Sequence, residues 1–452
     1  MEKNVVYANT FDDSVKKVDF KTALFKGQPE NGELYFPDSF PKVSLDEILE
    51  LKGRNYYEVA ATIMEKFITD IPYKDLVSIC KKVYTFEHPV EKLQDNQYIL
   101  RLDRGPTASF KDNAAVLMAA LMDYYISKSE KSKKLQILTA TSGDTGSAVA
   151  NAYFGFKNVD VVVLFPEKDI SINQRLQMTT LGENIYPIAI KGNFDACQDL
   201  VTKAFSTLEG KLLLGSANSI NIGRLLPQMI YYFDSFLKAY EHSNVVFSVP
   251  SGNFGNLTAG LISKNMGLPV KFVTGTNANS YFPEFLESGT ISVKKSANCS
   301  SSAMSVTKPS NMRRIAYMYG GKLNKEHILS KNLNFNELHN DILMADVISE
   351  KEVDEVIKKV YNEFSTLIEP HGAVAVAEML KFSKNAGKDF AVIAHETAHP
   401  AKFPEKINSL LGFEPKPLPN LQKFLDNKDK ENFEIMNYDY REFENFLLKT
   451  FK

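Results

Sequence analysis

Along the first hundred residues, apolar positions recur at helical spacing in "VSLDEILELK" and "YYEVAATIMEKFI", which predicts two amphipathic helices. Asn31-Gly32 and Phe36-Pro37-Asp38 break the pattern as turns, so residues 1–98 read as a mainly helical N-terminal portion. Beyond "YILRLDRGPT" the period changes. Short β-rich runs alternate with polar loops and helical stretches, the texture of an α/β protein on a largely parallel sheet. After Pro419 the chain is charged and partly amphipathic, and residues 416–452 read as a peripheral C-terminal segment of one or two helices.

Three of the α/β units share one form. "LQILTATSGDTGSAVANAYFG" predicts a strand over Leu135 to Thr139, a Ser-Gly-Asp-Thr-Gly loop and an alanine-rich helix. "NVVFSVPSGNFGNLTAGLISKNMG" predicts a strand over Val245 to Val249, a loop from Pro250 to Asn256 and a helix closing near Gly267. "DFAVIAHETAHPAKF" predicts a strand over Phe390 to Ala394 followed by a polar turn. In open α/β sheets ligands gather beyond the carboxyl ends of the strands, so these loops are expected to face one cleft.

The length of 452 residues suggests two or three domains rather than one simple core. A formal net charge of −2 offers no basic field to nucleic acid or an anionic membrane, and no apolar run approaches the roughly 20 residues that span a bilayer. Glu2-Lys3-Asn4 after Met1 carries no apolar leader pattern, and a cytoplasmic protein is expected. Cys80, Cys197 and Cys299 are odd in number and far apart, which signals neither a disulfide framework nor a cysteine-rich metal site.

The candidate chemistry lies in the loops. In "SGNFGN" two glycines allow close backbone approach, successive N–H groups make a nest, and the following helix adds its positive end, so a phosphate fits. Glycines that only shape a tight turn are the alternative. "TSGDTGS" offers hydroxyls and N–H groups to a carboxylate or second phosphate, or else an N-cap at Ser142 or Asp144. "SANSINIGR" sets Asn218, Ser219 and Asn221 near Arg224, suited to planar recognition of an anion, or simply a polar turn beside a surface arginine. His371 and His399 lie in segments whose spacing matches no zinc pattern, and no Gly-x-Ser-x-Gly elbow is present. Lys111, in "GPTASFKDNAAVLMAALMDYY", stands at the mouth of an apolar helix. It is either an ordinary first-turn lysine with a solvated ammonium or a pocket lysine prepared for covalent work.

Taken together, "GPTASFKD", "TATSGDTGSAVA", "NFDACQDLV", "SANSINIGRLLPQ", "SVPSGNFGNLTAG", "EPHGAVA", "TAHPAKF" and the N-terminal "NGELYFPDSFP" resemble the threonine synthase family of fold-type-II pyridoxal-phosphate enzymes. The resemblance runs in family order over residues 1 to 415 and leaves the last stretch uncovered. It implies two parallel-sheet α/β lobes of the tryptophan synthase β-like kind: residues 99–235 carrying the Schiff-base lysine, Lys111, and residues 236–415 carrying the cofactor-phosphate loop. It further implies pyridoxal 5′-phosphate as cofactor, held by Gly252, Asn253, Phe254, Gly255 and Asn256, with Thr397 at the pyridine nitrogen. Ser142, Thr145, Asn218, Ser219 and Arg224 match positions that face the substrate's carboxylate or phosphate. Asp144 stands where many fold-type-II relatives carry asparagine, and Glu396 precedes Thr397 where small residues are frequent. The implied reaction converts O-phospho-L-homoserine and water to L-threonine and phosphate, in a monomer or homodimer without a metal. A lyase or dehydratase releasing a 2-oxo acid, and a non-catalytic sensor of phosphorylated metabolites, are the competing functions.

Overall fold

Residues 4–129, 134–168, 170–239, 244–294, 297–386 and 389–451 are described by the structure, a computed structural model. Two parallel sheets dominate them. One has five strands in the order Glu434–Asn437, Ile185–Lys191, Val159–Pro166, Leu135–Ala140, Leu213–Ser216, and every pairing is parallel. The other has six, in the order Ile342–Val347, Val270–Thr276, Val245–Pro250, Ala391–Glu396, Gln97–Arg101, Val90–Gln94, parallel except for the final hairpin. Central strands such as Val159–Pro166 and Val245–Pro250 are buried along their whole length. That is why they read as unbroken apolar runs rather than alternating ones, since helices cover both faces of a parallel sheet.

The expected division at residues 98 and 99 falls inside the strand Gln97–Arg101, which lies beside Ala391–Glu396 in the six-stranded sheet. The C-terminal segment contributes more than helices. Its strand Glu434–Asn437 forms the edge of the five-stranded sheet, and Phe443 and Leu447 of helix Tyr440–Phe451 are buried against that sheet's outer core. The two N-terminal helices are present, each closed by a reciprocal capping box, Ser44 with Glu47 and Asn55 with Glu58. The first is shorter than its pattern suggests, Leu45–Leu49, because Gly53 turns at φ 81° and Leu51 is drawn into the core. No separate N-terminal core exists among the described residues: Tyr7, Leu24, Phe36 and Ile48 share one apolar cluster with Tyr232 and Leu261.

Helix Lys111–Ser127 is buried along most of its length and packs on helices Asp144–Tyr153 and Ile222–Leu225. Its small residues permit that close approach, and Lys111 is its first residue. Among the described residues no helix is long and apolar enough to cross a membrane.

Candidate active site

Lys111 leads its helix because the preceding turn is locked. Asp112 accepts from Thr107 N at 2.9 Å and Thr107 Oγ1 at 2.6 Å, and Gly105 lies so close beneath it that an added Cβ would meet Asp112 Oδ2 at 2.5 Å. Phe110 N–H donates to the Thr397 carbonyl at 2.8 Å, joining this turn to the end of strand Ala391–Glu396. The Lys111 ammonium makes no salt bridge or hydrogen bond among the described residues; its neighbour is the Phe110 ring at 5.9 Å. Burial pulls its pKa down to about 8, opposed by the Asp144 carboxylate and assisted by the positive charges of Arg224 and Lys402. Lys111 is thus half-buried rather than fully solvated.

The loop after Val245–Pro250 is a nest. Phe254 adopts a left-handed φ of 59°, which turns the chain into helix Gly255–Met266. The N–H groups from Gly252 through Leu257 have no acceptor among the described residues, and the first bonded donor of the helix is Thr258, to Phe254 O at 2.9 Å. Successive unaccepted N–H groups at a helix start suit a phosphate dianion. Asn253 shapes the loop: its Oδ1 accepts from Ser310 N at 2.6 Å, its carbonyl accepts from Asn311 Nδ2 at 3.0 Å, and its Nδ2 donates to Ser219 Oγ. The side chain of Asn256 turns away from the nest into the core. Its Oδ1 accepts from Tyr231 and Tyr232 hydroxyls at 2.7 and 2.6 Å, and its Nδ2 meets His395 Nδ1 at 3.2 Å. Only the backbone of Asn256 is left to serve an anion.

At the second loop neither Ser142 nor Asp144 caps the helix Asp144–Tyr153. Thr141 does so, its Oγ1 accepting from Gly143 N at 2.9 Å and Gly146 N at 2.8 Å. Ser142 is exposed, Thr145 half-buried, and neither hydroxyl has a partner among the described residues. Asn218 accepts from Thr139 Oγ1 at 2.5 Å, and Ser219 meets Asn253. Arg224 is buried, donates Nη1 to Ala217 O at 2.6 Å, and leaves its buried Nε without a partner. Burial lowers its pKa to about 10. Thr397 is buried, and its hydroxyl has no partner among the described residues.

Several participants carry no strong sequence signal. Arg314 is fully buried and donates to Tyr35 O, Ser219 O, Ile220 O and Asn311 Oδ1 at 3.1, 3.3, 2.6 and 2.7 Å, clamping the turn that holds Ser219. Ser-Asn before an arginine pair in "PSNMRR" is the only hint of it. Glu396 also gains a place. Its Oε1 accepts from Glu369 N at 2.8 Å and lies 3.9 Å from Arg101, while its other oxygen is packed against Gly372. Burial, reinforced by Glu369 and opposed by Arg101, pushes the pKa of this carboxyl well above the ordinary range. Glu369 in turn accepts from His371 N, His371 Nδ1 and Gly372 N, and His371 Nε2 accepts from Ala303 N at 3.1 Å. These contacts are those of a helix cap and a loop brace. Among the described residues no group of three or more His, Cys, Asp or Glu is arranged to hold a metal ion.

Three family models match successive parts of the chain: "Threonine synthase N terminus" over residues 6–84, "Pyridoxal-phosphate dependent enzyme" over 85–395 and "Threonine synthase, C-terminal" over 372–447. The likeness thus extends past residue 415, correcting the shorter reach read from motifs. The threonine synthase of Haemophilus influenzae is 38% identical over 447 residues, covering 96% of this chain and 98% of that one. Among solved structures, pyridoxal-phosphate-bound threonine synthase from Brucella melitensis superposes with a TM-score of 0.91 at 30% identity, covering 99% of this chain and 100% of that one. Yeast threonine synthase does so with 0.89 at 30% identity, covering 98% of each. A shared fold alone would leave the chemistry open, but full-length identity on both sides of the site does not. The chain belongs to the threonine synthase family of pyridoxal-phosphate-dependent enzymes.

Proposed function

We propose that the chain converts O-phospho-L-homoserine and water to L-threonine and phosphate, the closing step of threonine biosynthesis, with pyridoxal 5′-phosphate bound between the two sheets. Family membership supports the reaction. One observation carries the assignment of parts: the turn leading into helix Ile222–Leu225 joins a run of unaccepted N–H groups from Gly252 to Leu257, through Ser219 and Asn253, to a half-buried, unpaired Lys111 amine on which Arg224 acts.

In this reading the backbone of Gly252, Asn253, Phe254, Gly255 and Asn256 holds the cofactor phosphate, Lys111 links covalently to the cofactor, and Thr397 faces the pyridine nitrogen. The bound cofactor supplies an electron sink that spreads the charge left when the substrate Cα loses its proton. Lys111, with an amine that sheds its own proton readily, takes that Cα proton and moves protons at Cβ and Cγ as phosphate departs from Cγ and water adds at Cβ. A hydroxyl at Thr397 does not force a proton onto the ring as a carboxylate would, which puts more of the work on Lys111. Ser142, Thr145, Asn218, Ser219 and Arg224 hold the substrate's carboxylate and phosphate. The unpartnered Nε of Arg224 supports its part in gripping an anion.

A folded Lys111→Ala protein should show no measurable turnover while still binding free cofactor. Near-normal turnover would remove Lys111 from the chemistry. With O-phospho-L-homoserine in oxygen-18 water, the label should appear in the Cβ hydroxyl of threonine. If mass spectrometry instead finds 2-oxobutanoate as the main product, the chain is a lyase that releases its intermediate before water adds.

A further inference from the structure

The start of helix Asp144–Tyr153 and the turn Pro400–Lys402 meet at a buried contact that the assignment above leaves without a task. The side chain of Lys402 is fully buried, with its ammonium 2.6 Å from Asp144 Oδ1 and donating to Thr107 O at 3.0 Å. Gln174 Nε2 donates to the same Asp144 oxygen at 2.9 Å. Thr107 in turn gives its N–H and hydroxyl to Asp112, the residue after Lys111. A single ammonium therefore ties down both a carboxylate that acts on Lys111 and the turn from which Lys111 projects.

Stability is a poor reason for such a pair, because desolvating two charges cancels most of their attraction. Its effect on Lys111 is a better one. Three charged groups act on Lys111: Asp144 from helix Asp144–Tyr153, Arg224 from helix Ile222–Leu225, and Lys402 from the turn Pro400–Lys402. Left alone, the Asp144 carboxylate would pair with the Lys111 ammonium, and an ammonium so paired keeps its proton and cannot act as a nucleophile or base. Lys402 occupies that carboxylate instead. We propose that Asp144 and Lys402 work as one charge-compensated pair, in which Lys402 is a positioning residue that stops the carboxylate from holding a proton on Lys111. The direction of each group agrees. Burial leads the fall in the Lys111 pKa, while Asp144, though burial alone would raise it, is held below the usual carboxylate range by Lys402 and Lys111. A neutral side chain at residue 144 would need no such partner, so the two residues make sense together.

This inference rests on Lys111 as the lysine that joins the cofactor. Borohydride reduction of the holoenzyme and peptide mapping test that separately, and a different modified lysine would end both readings. The pair itself is tested on the full-length, cofactor-free protein by competitive acetylation across a pH series, with the reactivity of the Lys111 peptide read by mass spectrometry. Lys402→Gln should move the Lys111 profile to higher pH, cutting its neutral fraction near neutrality by ~10-fold or more, the change that one pKa unit produces. Asp144→Asn should move it the other way, and Asp144→Asn/Lys402→Gln should return it toward wild type. Should Lys402→Gln fail to fold with its carboxylate unpaired, the Asp144→Asn single and the double variant carry the same comparison. A Lys402→Gln profile that overlays wild type, an Asp144→Asn profile that does not fall, or a double variant displaced as far as Lys402→Gln overturns the proposal.

Discussion

An added methyl group at Gly252 should break the nest, whereas one at Gly255 should only crowd it. A Cβ at Gly252 would sit 2.5 Å from Met304 Cα and 3.1 Å from both Ala303 O and the Met304 carbonyl carbon. All three are backbone atoms of a turn fastened by Ala303 N to His371 Nε2 at 3.1 Å and Met304 N to Ser301 O at 3.0 Å. No flexible side chain can yield, so the loop and the turn must part by ~1 Å, an overpacking that costs about 1–3 kcal/mol. The same displacement carries donors away from a bound phosphate. A hydrogen bond to a charged group is worth about 1.5–3 kcal/mol, and losing one weakens cofactor binding by ~10- to 100-fold. At Gly255 the added Cβ would meet only Asn311 Nδ2 at 3.5 Å and Gln228 Nε2 at 3.6 Å, which is ordinary contact with side chains. Gly255→Ala should therefore keep wild-type stability and lose affinity only through crowding of the anion. Urea unfolding of the cofactor-free proteins measures the first quantity, and equilibrium titration with pyridoxal phosphate measures the second. Equal destabilisation of the two variants would refute the steric distinction, and unchanged affinity in both would place the phosphate elsewhere.

Gly372→Ala should be severely destabilising, because its Cβ would collide with the buried Glu396 carboxylate. Glu396→Ala in the same chain should restore much of the loss in urea midpoint, and purely additive losses would count against the contact. Glu378 is fully buried with neither oxygen hydrogen-bonded, and burial, with Asp346 adding and Lys381 opposing, raises its pKa from 4.5 to about 8. The folded state thus keeps this proton longer than the unfolded chain: the contribution is full below about pH 4.5 and is lost as pH rises through about 8. Glu378→Gln should flatten that decline in unfolding midpoint, and a slope parallel to wild type would show that Glu378 does not cause it.

The strand–loop–helix units were legible because their signals are local. Strands expected over Leu135 to Thr139 and Phe390 to Ala394 form as Leu135–Ala140 and Ala391–Glu396, and the helix expected to close near Gly267 ends on it. Partner choice was not legible. Gln97–Arg101 joins Ala391–Glu396 across most of the chain, and Glu434–Asn437 reaches back to Ile185–Lys191, because a parallel ladder leaves no trace in either strand's own sequence. At the candidate site, residue type marked the Gly-rich loop and the lysine for attention, but not which way each side chain turns. Asn256 lies in the loop yet aims its amide at Tyr231, Tyr232 and His395, and Thr141 takes the cap expected of Ser142 or Asp144. Hydroxyls and amides within one turn of a helix start are interchangeable on paper, and packing decides among them.

The charge pattern explains why so many polar contacts are spent on one turn. Arg224 and Arg314 both grip residues 217–220, and both do so through neutral acceptors: Ala217 O for the first, and Tyr35 O, Ser219 O, Ile220 O and Asn311 Oδ1 for the second. Neither forms a salt bridge among the described residues, and burial lowers the pKa of both. Lys111 lacks an ion pair among the described residues as well, whereas Asp144, a buried carboxylate that acts on it, is already paired with Lys402. A protein that needed only to fold would pair such cations or replace them with apolar groups, since an uncompensated buried charge is costly. Held by carbonyls and amides instead, they leave their positive charge uncompensated beside this turn, which is the arrangement the proposed anion-binding role of Arg224 calls for. The Lys402–Asp144 pair, in the role proposed for it, fits the same logic: Lys402 offsets a negative charge that would otherwise repel an anion and keep Lys111 protonated.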